Sequence, residues 1–490
     1  MQNNHFSEQP TIATLLTPKL FAVVIASAML SLSACSSGIQ TTEVNADTKD
    51  GSRVGYGPNP TLDAPNKKLI PTVNIAPAIG WPDKAIPTAA TGLSVAAFAQ
   101  GLDHPRWLYV LPNGDVLVAE TNSPPKGDTD LGVVKQIRGW IMGKVMAKAG
   151  AGVPSANRIT LLRDTDGDGT AELSTVLLDG LMSPFGMALV GDQLYVANAD
   201  AVIKFPYKEG DLKITAPGTK VVDLPGGPIN HHWTKNIIAN KDGSKLYVTV
   251  GSNSNVAEDG MEIEVGRATI WEVDVKTYEH RLFAEGLRNP NGLTWEPETG
   301  ALWTVVNERD ELGDDLVPDY LTSVQDGGFY GWPYSYYGQN VDERVQPQRP
   351  ELVSKAIPPD YALGAHTASL GLVSSANAKL TPTFANGMFI GQHGSWNRKP
   401  ASGYKVIYVP FVEGKPAGTP IDVLTGFLSP AGEAYGRPVG VAIDSKGALL
   451  VADDVGNKVW RVTADAAQTA DKAANEVEST EPVESKEVAK

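Results

Sequence analysis

A pair of short segments, GLDHPR at Gly101–Arg106 and DVLVAE at Asp115–Glu120, opens a unit that recurs along this chain. Each copy begins with glycine and a short polar loop and leads, through a turn, to a strongly apolar segment. The copies begin at Gly101, Gly180, Gly226, Gly286, Gly364 and Gly436. A repeat made of several short strands is typical of a β-propeller, in which each repeat forms one blade. The pattern therefore predicts an all-β, six-bladed β-propeller over residues 91–463.

The segment that precedes the first copy can close this ring. Leu93–Ala99 alternates weakly between apolar and polar residues, and the last copy ends in another strand-like run, Lys458–Val462. If the first segment adds to the last blade, the ring closes without an exposed sheet edge. A long insertion at about 123–157 has apolar residues at helical spacing over Val133–Ala149, which predicts a short helical excursion.

The first residues have the features of an export signal. Lys19 precedes the apolar run Leu20–Leu32, which is too short to span a bilayer. The only cysteine, Cys35, follows in a sequence that resembles a bacterial lipobox. Residues 1–35 are thus predicted to be a lipoprotein signal with Cys35 lipidated, and a plain signal peptide cleaved nearby is the alternative. The residue after Cys35 is Ser36, not Asp, so the prediction is a periplasmic protein anchored by lipid to the outer membrane.

Composition limits the remaining possibilities. Residues 36–90 are rich in Pro, Gly and Asn and predict a spacer, and 464–490 predict a disordered acidic tail. The net charge of −15 disfavours nucleic acid as a partner, because phosphate backbones repel an acidic protein. One cysteine excludes an internal disulfide, an iron–sulfur cluster and a C-x-x-C-H haem attachment. Any redox chemistry must therefore use a cofactor that other residue types hold.

Cationic and imidazole residues recur at one phase of the repeat. The opening loops hold Arg106, His232, Arg288, His366 and Arg437, and the loops after the apolar strands hold His393 and Arg398 among amide and acidic residues. Equivalent positions of propeller repeats lie on one face around the axis. The sequence therefore predicts one mouth for an anionic ligand, and a planar one if aromatic residues such as Trp396 supply faces.

Four stretches around these positions resemble a known family: Glu285–Leu293, Asn307–Asp315, Gly327–Pro333 and His393–Arg398. They are similar to the soluble quinoprotein sugar dehydrogenases, in the sorbosone and pyranose dehydrogenase group related to soluble glucose dehydrogenase. The resemblance implies a six-bladed propeller that binds pyrroloquinoline quinone (PQQ) and calcium. It further implies oxidation of a sugar or aldehyde by hydride transfer to PQQ. No haem or flavin motif is visible in the sequence, so the electrons are expected to pass to an external acceptor.

The resemblance also implies roles for single residues. His232 corresponds to the catalytic base, although a shift of one residue would select His231, and Arg288 corresponds to the arginine beside the quinone oxygen, with Asn289 next to it. The main-chain carbonyls of Asp310 and Glu311 are expected to hold calcium. Further residues are expected to bind the cofactor (Arg106, Trp396, Arg398, Lys405 and Arg437) or to line the substrate pocket (His366 and His393).

Two acidic segments and two rival functions stay open at this point. Asp164, Asp166 and Asp168 look like a calcium loop but lack the acidic residue at position 12, so an acidic hairpin turn is the alternative to an ion site. Asp314 and Asp315 bind a second ion or cap the next segment. The rival functions are a calcium-dependent lactonase or other hydrolase, and a non-catalytic binding propeller, because fold does not determine function.

Overall fold

The computed structural model describes residues 54–66, 72–125, 143–227 and 229–465. Six sheets follow one another along these residues, and each corresponds to one copy of the sequence unit. Their strands pair antiparallel except in blade 3, where Gly328–Phe329 pairs parallel with His280–Glu285. The second strand of each blade is largely buried; in Val116–Glu120 and Leu449–Asp453 every residue is buried. A strand that is covered on both faces reads as a continuous apolar run, which is the feature that marks each copy in the sequence.

The blades are built from the following strands, given from the first strand outward. Blade 1 contains Pro105–Val110, Val116–Glu120, Arg158–Arg163 and Leu173–Leu178; blade 2 contains Met187–Val190, Gln193–Ala197, Ala201–Pro206 and Thr219–Asp223; blade 3 contains Ile237–Ala239, Lys245–Val250, Thr269–Asp274, His280–Glu285 and Gly328–Phe329. Blade 4 contains Pro290–Trp295, Leu302–Val306, Pro318–Ser323, Tyr361–Ala365 and Tyr56–Gly57; blade 5 contains Ser369–Ser374, Gly387–Gln392, Lys405–Val412, Ile421–Thr425 and Thr88–Ala89; blade 6 contains Pro438–Ile443, Leu449–Asp453, Lys458–Ala464 and Leu93–Gln100.

The first strands of neighbouring blades contact one another in a closed ring, from blade 1 round to blade 6 and back. Buried apolar side chains of the described residues form one cluster between each pair of neighbouring blades. Leu93–Gln100 pairs antiparallel with Lys458–Ala464, which completes blade 6 with a strand from before blade 1. The predicted six-bladed propeller and its closing strand are both confirmed.

Helical structure is confined to short segments within the part of the chain described. In the long insertion, residues 143–146 and Ala147–Ala151 are helical, and residues 126–142 of this region lie outside the described residues. The other segments are Met261–Glu264, Pro350–Val353, Ser375–Asn377 and Pro382–Phe384. None of the described helices is long and apolar enough to cross a bilayer. Cys35 and the predicted signal lie outside the described residues, as does the chain after Asp465.

The described part of the predicted spacer contacts the propeller at several points. Tyr56–Gly57 pairs with the outer strand of blade 4, and Thr88–Ala89 pairs with the outer strand of blade 5. Between these two strands, residues 72–81, which we call the strap, cross the loops of blades 4, 5 and 6.

Candidate active site

The strand registers bring the loops with unusual residues to one end of the propeller. The start of each first strand lies opposite the end of the second strand, as in the pairs Pro290 with Val306 and Ser369 with Gln392. The opening loop of a blade and the loop after its second strand therefore lie at the same end. This end contains the arginines and histidines that the sequence predicts around one mouth.

Arg288 is the centre of the first group of polar side chains, and it is only 4% exposed. Its guanidinium donates to the main-chain oxygen of Glu308 at 2.6 Å and to that of Asn255 at 3.2 Å. It also donates to Oδ2 of Asp310 at 3.1 Å. These contacts fix Arg288 between the loops that follow the second strands of blades 3 and 4.

Asp310 joins Arg288 to His366 and Asn397 of blade 5. Its Oδ1 accepts from Nδ2 of Asn397 at 2.7 Å and lies 3.3 Å from Nδ1 of His366. Burial alone would raise the pKa of Asp310, but Arg288 and His366 hold that pKa well below its usual value. Burial likewise opposes the charge of His366, yet its hydrogen bond with Asp310 raises the pKa of this histidine. Asp310 is therefore an ionised carboxylate already surrounded by donors.

Behind Arg288, two buried carboxyl groups hold the loop of blade 4. Asp319 accepts from the amide of Glu308 at 3.0 Å, from the hydroxyl of Thr367 at 3.0 Å and from the amide of Ser369 at 3.2 Å. Burial raises the pKa of Asp319 to about 6 and that of Glu308 to about 7. Asp319 thus connects the site loops of blades 4 and 5.

His232 lies next to this group, and its orientation follows from one contact. Its Nδ1 lies 2.7 Å from the main-chain oxygen of Ser252. Because a carbonyl oxygen can only accept, Nδ1 must bear the hydrogen, and the unprotonated nitrogen is Nε2. Burial, together with the positive charge of Arg288, lowers the pKa of His232 well below its usual value. The neighbouring His231 is exposed, and His232 is partly buried.

Gly251 allows His232 and Asn289 to approach the same point of the backbone. A Cβ atom at position 251 would collide with Cβ of His232 and with Oδ1 of Asn289. That Oδ1 is buried and has no hydrogen-bond partner. A side chain at 251 would therefore separate the predicted base from the asparagine beside Arg288.

Asp454, which is 2% exposed, is the centre of a second group that we call the Asp454 cluster. Its Oδ2 lies 2.8 Å from Arg106, 2.8 Å from Nε2 of His393 and 3.4 Å from Nε2 of His104. Arg437 joins through its contact with the main-chain oxygen of His393 at 3.5 Å and packs over Tyr404 at 4.8 Å from the ring centroid. The cluster thus joins blades 1, 5 and 6.

Protonation in the Asp454 cluster is set by burial and by the paired charges. Burial lowers the pKa of His393 to about 4, so this histidine is neutral near pH 7. Burial opposes ionisation of Asp454, but His393, His104 and Arg106 lower its pKa below the usual value. The cluster therefore contains a carboxylate that is paired with a buried guanidinium.

We expect the variant Asp454→Asn to lower the free energy of unfolding by about 3–5 kcal/mol, because it leaves Arg106 buried without its counter-charge. The exposed pair of Lys220 and Asp223 provides a matched control, and Asp223→Asn should cost less than about 1 kcal/mol. Since the pKa of Asp454 is lowered, the difference should persist above about pH 4 and disappear only in stronger acid. Urea unfolding of both variants tests this, and equal losses would contradict it.

Other predicted site residues have partners outside these two groups. Arg398 lies 2.6 Å from Asp315, and Lys405 lies 2.6 Å from Asp422 on the outer strand of blade 5. This ion pair directs the Lys405 side chain to the outer strand of blade 5, and it joins Lys405 to neither group. Glu311 pairs with Arg344 at 2.7 Å. Trp396 is half-buried and, with Glu311, lines a hollow of about 20 Å³ under the strap.

The acidic segments resolve into turn and loop structure. The segment at Asp164 forms the turn between Arg158–Arg163 and Leu173–Leu178. Oxygen atoms of Asp164, Asp166, Asp168 and Glu172 lie within 4.8 Å of one another, and Nζ of Lys446 lies 2.7 Å from Asp164. Asp314 accepts from the hydroxyl of Thr72 at 2.7 Å, and Asp315 pairs with Arg398.

Sequence reasoning missed Asn255 and Asp454. The side chain of Asn255 accepts from the Asp310 amide at 2.8 Å and from Arg288 at 3.1 Å, and its main-chain oxygen accepts from Trp332 at 2.9 Å. Asp454 directly follows the second strand of blade 6, just as Asn307 directly follows the second strand of blade 4, so the two residues occupy the same position of the repeat. That shared phase was the available signal for Asp454.

A family model described as TrAA12-like matches residues 152–320 and 342–465, which is more than half of the chain. The chain belongs to this family. This match confirms, at the level of the family, the resemblance to the soluble PQQ-dependent sugar dehydrogenases. Relatives of this chain include a PQQ-dependent pyranose dehydrogenase and an aldose sugar dehydrogenase.

Three curated relatives illustrate the range of similarity. An uncharacterized protein of Borreliella burgdorferi is 27% identical over 292 residues, covering 58% of this chain and 76% of the relative. The pyrroloquinoline quinone-dependent pyranose dehydrogenase of Coprinopsis cinerea is 22% identical, and the match covers 66% of this chain but only 44% of that protein. An aldose sugar dehydrogenase of Escherichia coli is 21% identical, covering 66% of this chain and 82% of the relative.

Solved structures of the same fold agree with the propeller. The PQQ domain of the Coprinopsis cinerea pyranose dehydrogenase, in its holo form, has a TM-score of 0.61 and 21% identity, covering 79% of this chain and 100% of that chain. A calcium structure of the Trichoderma reesei family AA12 enzyme has a TM-score of 0.62 and 18% identity, covering 81% of this chain and 100% of that chain. At these identities the likeness shows the fold of the TrAA12-like chain.

Proposed function

We propose that this protein is a PQQ- and calcium-dependent oxidoreductase that oxidises a sugar or a related aldehyde. The observation on which the proposal mainly rests is the fixed tautomer of His232, whose Nε2 is left as a base beside the buried Arg288. The names of the pyranose and aldose sugar dehydrogenases among its relatives support the same substrate class.

Unpartnered polar atoms at this end of the propeller suit PQQ, a flat tricarboxylate quinone. The Nε atoms of Arg106, Arg398 and Arg437 are buried without a hydrogen-bond partner, and so is Oδ1 of Asn289. Buried donors without partners are costly unless a ligand completes them, and guanidinium groups match carboxylates in geometry. The residues that would hold the cofactor are Arg106, Arg288, Asn289 and Arg437, with Trp396 and Arg398 at the rim. Lys405 is left out, because its Nζ forms an ion pair with Asp422.

The acidic residues fit calcium through their main chain rather than through their side chains. The carboxylate of Asp310 is bound by Arg288, His366 and Asn397, and that of Glu311 is paired with Arg344. Side-chain ligation would disrupt these contacts, whereas carbonyl oxygens can serve from any residue type. The carbonyl of Asp310 accepts from Nδ2 of Asn255 at 3.2 Å, and its second lone pair is left for a cation. We therefore propose that the carbonyls of Asp310 and Glu311 hold the cation, as the family resemblance implies.

Each residue then has a defined task. When bound, PQQ would supply a quinone that accepts a hydride, and with it two electrons, from the substrate carbon. Nε2 of His232 takes the proton of the substrate hydroxyl, while Nδ1–H remains bonded to Ser252. Arg288 stabilises negative charge on the acceptor oxygen and keeps His232 unprotonated. His366 and His393 lie at the same end, and we propose that they line the substrate side of the mouth.

The lowered pKa of His232 predicts an unusual acid limb of the pH–rate profile. A base must be unprotonated to act, and a lower pKa keeps it unprotonated to lower pH. We expect kcat/KM to be constant from pH 8 through the ordinary histidine pKa of about 6.5 and to fall only in more acidic solution. A pH–rate profile of the loaded enzyme measures this, and an acid limb centred at or above about 6.5 would contradict it.

Reconstitution tests the proposed function. The purified protein is treated with a chelator and then given PQQ, calcium, or both, and reduction of an artificial dye is followed with several aldoses and aldehydes. We expect activity only with both additions, and an absorbance change when PQQ binds. Lactone hydrolysis with calcium alone would support the rival hydrolase, and the absence of both PQQ binding and activity would support a non-catalytic propeller.

Two further parts of the proposal concern the surroundings of the enzyme. We propose that Cys35 is lipidated and tethers the protein to the periplasmic side of the outer membrane, and that a separate acceptor receives the electrons. Metabolic labelling with a fatty-acid analogue, compared between the wild type and Cys35→Ser, tests the lipid anchor.

A further inference from the structure

The strap, residues 72–81, lies outside the six repeats yet bonds to the site loops of three blades. The hydroxyl of Thr72 donates to Oδ1 of Asp314 on blade 4 at 2.7 Å. Asn74 donates to two carbonyl oxygens on blade 5: its amide to Trp396 and its Nδ2 to Arg398, both at 2.8 Å. Each contact is made to a loop that contains predicted cofactor or calcium residues.

The strap continues to blade 6, where it reaches a cofactor arginine. The main-chain oxygen of Ala76 accepts from Arg437 at 3.2 Å, and Nε1 of Trp81 donates to Asp453 at 2.7 Å. Asp453 also accepts from the amide of Arg437 at 2.8 Å. The strap therefore fixes the position of Arg437 as well as the loops of blades 4 and 5.

Both sides of the strap are anchored to the propeller. Before it, the amide of Asn66 donates to the main-chain oxygen of Leu312 at 2.7 Å, and Tyr56–Gly57 extends blade 4. After it, Thr88–Ala89 extends blade 5. The hollow of about 20 Å³ beneath it, lined by Thr72, Glu311 and Asn397 among others, has room for about one water molecule. A segment anchored at both ends and packed this closely restrains the loops that it touches.

We infer that Thr72 and Asn74 are positioning residues, which hold the loop at 310–315 against the loop at 393–398 and thereby retain the cofactor and the cation. One part of this inference, retention of PQQ, rests on the proposed function. The other part, restraint of the two loops, concerns the protein alone. The two loops also contact each other directly, through Asn397 with Asp310 and through Arg398 with Asp315. The strap adds to these contacts, because each of its two hydrogen-bonding side chains binds one of the loops.

The test compares two double variants of the purified full chain. T72V/N74A removes both side-chain hydrogen bonds while preserving the shape of residue 72. T88V/N59A makes the same chemical changes at exposed positions of the same N-terminal segment. Hydrogen exchange is read at protected amides of the site loops: those of Asp310, His393, Gly394 and Ser395.

Loss of two hydrogen bonds predicts roughly tenfold faster exchange at these amides in T72V/N74A, and wild-type exchange in T88V/N59A. The dissociation constant of PQQ, titrated by absorbance in the presence of calcium, should rise about 5- to 10-fold in T72V/N74A only. Equal exchange in the two double variants would overturn the restraint, and faster exchange with an unchanged PQQ constant would overturn the retention. If PQQ binds to none of the proteins, the proposed function fails, whereas the exchange data still decide whether the strap restrains the loops.

Discussion

Replacing His232 by glutamine is expected to lower kcat by about 10²- to 10⁴-fold, because glutamine can keep a hydrogen bond to Ser252 but cannot take a proton. The adjacent His231 provides the matched control. It is exposed, so His231→Gln should keep near wild-type turnover. Steady-state kinetics with a reconstituted enzyme and an aldose measure both variants.

The outcome of this pair also decides the register of the site. A large loss in His231→Gln with an active His232→Gln would show that the base is the preceding residue. An equal and small effect in both variants would remove histidine from the role of base. Because both substitutions are made in one loop, general damage to that loop would lower both activities together.

Replacing Arg288 by glutamine is expected to lower kcat/KM by about 10²- to 10³-fold, since the variant loses the charge that we propose stabilises the acceptor oxygen. A second effect should accompany the first. Arg288 contributes to the lowered pKa of His232, so the acid limb of the pH–rate profile should move to higher pH in the variant. Arg281→Gln, which alters an exposed arginine paired with Glu272 and Asp326, is the control.

These two effects separate a chemical role of Arg288 from a structural one. A purely structural arginine would lower the free energy of unfolding and the yield of active enzyme, but it would leave the acid limb of the surviving molecules in place. Unchanged turnover in Arg288→Gln would reject the proposed role. Thermal unfolding of both arginine variants provides the stability needed for this comparison.

Much of the fold could be predicted because apolar strands and glycine-rich loops recur in the chain. The same periodicity placed Arg106, His232, Arg288, His366 and Arg437 at one end, since equivalent positions of repeated strands share a direction. The closing strand, Leu93–Gln100, could also be predicted, because the last copy leaves an edge that requires a partner.

The connections between loops could not be predicted from periodicity. Asn255 and Asp454 form hydrogen bonds with residues of other blades, and the choice of partner depends on the path of each loop. Lys405 follows a site loop in the sequence, but it begins a strand and pairs with Asp422 on the neighbouring strand. The strap could not be recognised either, because a segment rich in Pro and Gly has the composition of a spacer whether or not it is bonded to the propeller.

The pairing of Leu93–Gln100 with Lys458–Ala464 means that the propeller cannot close before the last strand has been synthesised. During synthesis from the N-terminus, Arg106 is translated long before Asp454. The two side chains can pair only after blade 6 has formed and the propeller ring has closed. The last strand must therefore be synthesised before the Asp454 cluster, and with it the complete site, can form. A truncated chain that ends before Lys458 would lack the strand that pairs with Leu93–Gln100. We therefore expect proteases to degrade it, and we expect no partial activity from it.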